Sequence, residues 1–90
     1  MALFKERRAE RRQRVLISGA TFTLRGAPGP NCAIIDQSSG GARLKFNAGQ
    51  SPSFEFLLAD KKQASLWKCS IAWLGGGKVG VRREPFVSDQ

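Results

Sequence analysis

Trp67-Lys68-Cys69-Ser70-Ile71-Ala72-Trp73-Leu74-Gly75-Gly76-Gly77-Lys78-Val79-Gly80-Val81-Arg82 reads as two strands joined by a glycine turn. Trp67, Cys69, Ile71 and Trp73 alternate with Lys68, Ser70 and Ala72, which gives the first strand one apolar face and one polar face. A period of two marks a half-buried strand, because successive side chains in a pleat point to opposite sides. After the glycines, Val79 and Val81 alternate with Lys78, Gly80 and Arg82, completing a hairpin signature.

The same period recurs upstream. Phe54, Phe56 and Leu58 alternate with Ser53 and Glu55 in a strand ended by Ala59-Asp60-Lys61-Lys62. Ala42 to Phe46 places Leu44 and Phe46 on one face and Arg43 and Lys45 on the other, followed by a loop from Asn47 to Pro52. Cys32 to Ile35 is a further short strand, and Asp36-Gln37-Ser38-Ser39-Gly40-Gly41 follows it as a turn. Leu16, Ala20, Phe22 and Leu24 alternate with Val15, Ile17, Thr21 and Thr23 in a first strand that continues to Arg25. Gly26-Ala27-Pro28-Gly29-Pro30-Asn31 then punctuates as a loop. Six short strands joined by Gly/Pro turns predict an all-β fold, an antiparallel barrel or sandwich. Gly19 and Gly80 inside strands suit the tight bends of a small barrel.

Ninety residues make one domain. The formal net charge is +8, and its distribution is uneven: residues 1–14 hold Lys5, Arg7, Arg8, Arg11, Arg12 and Arg14 against Glu6 and Glu10. That segment lacks an apolar stripe, so it is expected to be flexible until an anionic partner orders it. The chain thus divides into a basic segment over 1–14, a barrel over 15–84 and a short tail over 85–90, whose Phe86 packs back on the barrel. No apolar run reaches membrane-spanning length. With no His and only Cys32 and Cys69, far apart, neither a zinc site nor a catalytic constellation is visible, and no enzyme activity or cofactor is expected. Both cysteines lie in strand-like runs, which favours buried reduced thiols and a cytoplasmic location.

Two segments carry chemistry. Asp36, Ser38 and Gly41 form a D-x-S-x-x-G pattern, and Arg7-Arg8-Ala9-Glu10-Arg11-Arg12 contains R-x-x-x-R as Arg8 with Arg12 or Arg7 with Arg11. A carboxylate accepts two N–H bonds from the edge of a guanine, and a hydroxyl adds an adjustable donor or acceptor. Arginine forks suit phosphate and the acceptor edge of guanine, and they stack on base faces. Asp, Ser and Gly are also what any turn prefers, and charge runs are commonly solvated tails. The joint occurrence and order of the two segments make the sequence resemble the PilZ family, small β-barrel receptors for bacterial cyclic di-GMP. Gly41-Ala42-Arg43-Leu44, Cys69 to Leu74 and Val79-Gly80-Val81-Arg82 are similar to strands of that family, and the resemblance spans residues 7–83. Gln37 departs from it, standing where the family usually has an apolar residue.

The resemblance implies a six-stranded PilZ-type barrel that binds cyclic di-GMP. The two arginines of R-x-x-x-R would clamp the ligand, with Arg8/Arg12 the preferred register and Arg7/Arg11 the alternative. Asp36 and Ser38 would contact a guanine, and Gly41 would hold the loop geometry. Ligand binding would order the arginine segment and change the surface offered to an unidentified protein partner. Trp73 falls on the apolar stripe and is read as core filling, with stacking beneath a guanine as its functional alternative. Trp67 is read as core or interface. Two rival functions are a PilZ-like protein-interaction module without the ligand and a small basic barrel binding nucleic acid. Nucleic acid is the less expected partner, because the aromatics fall mostly on the presumed core face.

Overall fold

The computed structural model describes residues 13–86, and each strand of the sequence reading is present in it. The order is β1 (Gln13–Phe22), β2 (Pro28–Ser38), β3 (Gly41–Phe46), β4 (Glu55–Asp60), β5 (Ser65–Gly75) and β6 (Lys78–Pro85). All neighbours are antiparallel, and the sheet closes into a barrel in the order β1-β2-β3-β6-β5-β4. Closure is made by Gly19–Phe22 of β1 pairing with Leu57–Asp60 of β4. A closed antiparallel barrel satisfies its backbone groups without leaving a long free edge. Arg7, Arg8, Arg11 and Arg12 lie outside the described residues.

The alternation predicts much of the interior, although Leu16 (82% exposed), Phe54 (66%) and Leu24 (45%) lie outside it. Ile17, Ile34, Ala42, Leu44, Phe46, Phe56, Leu58, Cys69, Val79 and Val81 form one buried cluster, with Val15, Cys32, Trp67 and Ile71 packed against it. Each fully buried large apolar side chain contributes about 1.5–3 kcal/mol, and all six strands supply at least one residue. Gly76 and Gly77 form the two-residue β5–β6 turn, both at positive φ (59° and 75°), as a type I′ hairpin demands. After β6, the Phe86 amide donates to the Leu66 carbonyl at 3.0 Å, which ties the tail to β5.

Three differences from expectation concern strand boundaries. β1 ends at Phe22, and β2 begins at Pro28, inside the predicted loop. There Thr21 Oγ1 donates to the Pro30 carbonyl at 2.7 Å, a side-chain bond that ties β1 to the proline-bearing start of β2. β4 starts later than its alternation suggests, at Glu55, and it ends later, because Asp60 is an interior strand residue (1% exposed) whose Oδ1 accepts from the amides of Lys62 and Gln63. The third difference is functional: Asp36 to Ser38 belong to β2, and only Ser39 and Gly40 form the turn.

Both cysteines are free thiols, Cys69 buried and Cys32 half-buried. Burial pushes the Cys32 thiol up to about 11 from 9.0. Burial, opposed by Arg83 and reinforced by Cys32, pushes Cys69 up to about 12. A thiol whose folded pKa is raised stabilises the fold fully below its unfolded pKa and loses that contribution as pH rises through the folded value. Denaturant titrations of wild type and Cys69→Ala between pH 8 and 12 are therefore expected to show the wild type losing stability faster above pH 9. Parallel pH profiles would contradict this.

Candidate functional site

Two β-bulges decide which side chains face outward. Between β2 and β3, Ile34 pairs with Leu44 but Asp36 pairs with Arg43, so Ile35 is an extra residue on β2. Leu44 and Ala42 point into the core, at 0% and 1% exposure, and Arg43 between them points out. Asp36 therefore faces outward with Arg43, whereas an unbulged strand would have carried it inward after Ile34. On β5, Ile71 pairs with Val81 and Trp73 with Gly80, so Ala72 is the extra residue. Trp73 is thereby rephased to the outer surface, where it is 42% exposed. Its core-filling assignment is thus corrected.

The two bulges bring an acid and an indole into one outer row. In register across β2, β3, β6 and β5 stand Asp36, Arg43, Gly80 and Trp73, and Arg14 of β1 lies opposite Asp36. Gly80 is what lets the indole lie down. A Cβ there would stand 2.1 Å from Trp73 Cε2, so the ring covers the bare backbone of β6. The Asp36 carboxylate is 4% exposed; Arg43 Nε donates to its Oδ2 at 2.8 Å, and Arg43 Nη2 reaches the same oxygen. A depression of about 440 Å³ lies on this face, lined by Val15, Leu16, Ile35, Asp36, Arg43 and Lys78.

The neighbouring row runs Ser38, Gly41, Arg82, Ser70 and Glu55. Ser38 thus shares the outer surface with Asp36. Gly41 opens β3, and a Cβ at this position would meet the Val81 carbonyl oxygen at 3.0 Å and approach Ser38 Oγ at 3.9 Å. Its small size keeps the strands close and leaves the Ser38 hydroxyl uncovered. Arg82, Ser70 and Glu55 also line an adjoining cleft of about 380 Å³.

The sequence-derived residues Asp36, Ser38 and Gly41 thus come together on one surface. The arginines at 7, 8, 11 and 12 fall outside the described residues, but the chain enters β1 at Gln13, which pairs with Gln37. Arg43, Lys78 and Arg82 were not singled out as site residues, and Trp73 was weighed for the site only as the alternative to core filling. Gly80 beside an aromatic strand was the available signal for Trp73. Among the described residues no group of three His, Cys, Asp or Glu could hold a metal ion, and no helix is long and apolar enough to cross a membrane. Comparison with protein-family models and with curated proteins gives no match.

Proposed function

We propose that the protein is a PilZ-type receptor for cyclic di-GMP, acting in the cytoplasm through a protein partner. The outer row Asp36–Arg43–Gly80–Trp73 is the observation that carries this reading. A guanine dinucleotide needs an acceptor for its N–H edge, cations for its phosphates and flat or apolar surface for its rings. Asp36 supplies the acceptor, Arg43, Lys78 and Arg82 the cations, and Leu16, Ile35 and Trp73 the surface. In sequence the arginine run immediately precedes Gln13, and Gln13 pairs with Gln37, the neighbour of Asp36. Closing that run over the ligand changes the surface a partner meets.

A micromolar complex corresponds to about −8 kcal/mol. Several charge-assisted hydrogen bonds of roughly 1.5–3 kcal/mol each supply that after the ordering cost of the segment. Calorimetric titration with cyclic di-GMP, with GMP and GTP as controls, tests the reading. Saturable binding of the cyclic dinucleotide alone is the expected result. Equal binding of all three overturns guanine dinucleotide specificity, and no binding leaves a protein-interaction module on the same barrel.

A further inference from the structure

We infer that Arg83 is the positioning residue of the Asp36–Gly41 segment, holding from the barrel interior the strand whose outer face reads the ligand. This rests on the receptor reading above. Arg83 pairs in register with Cys69, whose side chain is 1% exposed, so the Arg83 side chain enters the inner side of the barrel end. There its guanidinium lies over the Trp67 ring, 3.9 Å from the centroid. Nη1 donates to Gln37 Oε1 at 3.2 Å, and Nη2 donates to the Ser38 carbonyl at 3.0 Å. The Arg83 amide donates to the Gly40 carbonyl at 3.1 Å. One residue therefore reaches three points within the candidate ligand-reading segment.

The alternation of β2 makes this arrangement possible. Asp36 and Ser38 face out, so the side chain between them, Gln37, faces in and presents its carbonyl oxygen to Arg83. An apolar side chain at 37 would pack there but offer no acceptor. A guanidinium is a planar fork with fixed donor directions, and stacking on an indole fixes the plane of that fork. Among the described residues Arg83 Nε is buried without a hydrogen-bond partner, so both side-chain bonds leave from the Nη atoms. The hold on Gln37 and Ser38 thus depends on the fork reaching outward from the stack. Fixing a binding segment before the ligand arrives removes part of the ordering cost of binding.

Arg83→Lys keeps the charge and the stem but loses the planar fork. Amide hydrogen exchange in the ligand-free protein and calorimetric titration with cyclic di-GMP read its effect. Exchange at Ser38 to Gly41 is expected to accelerate while amides of Phe56 and Leu58 keep their protection. Affinity is expected to fall about tenfold, the equivalent of one lost hydrogen bond. Gln37→Leu should weaken binding similarly, Gln37→Glu should retain it, and the Gln37→Leu/Arg83→Lys pair should lose less than the sum. The two Gln37 variants carry the test if Arg83→Lys does not fold. Unchanged turn exchange with unchanged affinity overturns the assignment, as does a loosening shared equally by the turn and the core. Absence of cyclic di-GMP binding by the wild type overturns the receptor reading instead, and the exchange measurements alone then decide whether Arg83 holds the segment.

Discussion

Replacing Arg7, Arg8, Arg11 and Arg12 together with glutamine is expected to weaken cyclic di-GMP binding by a hundredfold or more. Two arginine forks on phosphate or guanine, at roughly 1.5–3 kcal/mol per charge-assisted bond, correspond to about two to four orders of magnitude in affinity. Residues 7–12 precede Gln13 in sequence and the substitutions leave the buried cluster unchanged, so thermal unfolding of the variant should match that of the wild type. Two paired variants, Arg8→Gln/Arg12→Gln and Arg7→Gln/Arg11→Gln, then locate the clamp: the pair in the working register accounts for most of the loss. Wild-type affinity in the fourfold variant would remove the clamp from the mechanism.

Asp36→Ala is expected to act with opposite sign on two ligands. Guanine loses the acceptor for its N–H edge, and cyclic di-GMP affinity falls by roughly 1–3 kcal/mol, about tenfold to a hundredfold. Non-specific binding to single-stranded nucleic acid gains, because a carboxylate is removed from a surface that already carries Arg43, Lys78 and Arg82. The fold also loses the Asp36–Arg43 ion pair. Arg43 is 35% exposed and keeps part of its hydration, which limits the stability cost of that loss. Asp36→Asn separates the contributions, since it keeps the shape and one acceptor while discarding the charge. Titrating the three proteins with both ligands at fixed salt gives the sign of each effect. A gain in nucleic-acid binding alongside unchanged cyclic di-GMP binding would contradict the receptor reading and support a nucleic-acid-binding barrel.

The strands were legible because each carries an alternating apolar face, as Phe56 and Leu58 or Val79 and Val81 illustrate. The bulges were not legible. A period of two records faces only while the count of residues on paired strands stays equal, and nothing in the composition of Ile34-Ile35-Asp36 or Ile71-Ala72-Trp73 announces an extra residue. Hence Asp36 read as a turn residue and Trp73 as core, although one is a strand residue and the other lies on the outer surface. Gly80 was read as a bend; its more specific role is to make room for an indole. Arg83 was missed for another reason. Its side-chain partners Gln37 and Ser38 are 46 and 45 positions away, and only barrel closure order brings β6 beside β3 and the end of β2. Asp36, Ser38 and Gly41, by contrast, could be found by pattern because they are close in sequence as well as in space.

The two tryptophans occupy unlike surroundings, and this gives the protein two built-in optical reporters. Trp67 lies beneath a guanidinium at the inner barrel end, while Trp73 rests on Gly80 at the outer surface. A ring stacking or closing over the outer row alters the emission of Trp73 and leaves Trp67 as an internal standard. Loss of the barrel alters both. With each indole replaced in turn by phenylalanine, intrinsic fluorescence therefore distinguishes arrival of a ligand from melting of the fold in a single cuvette.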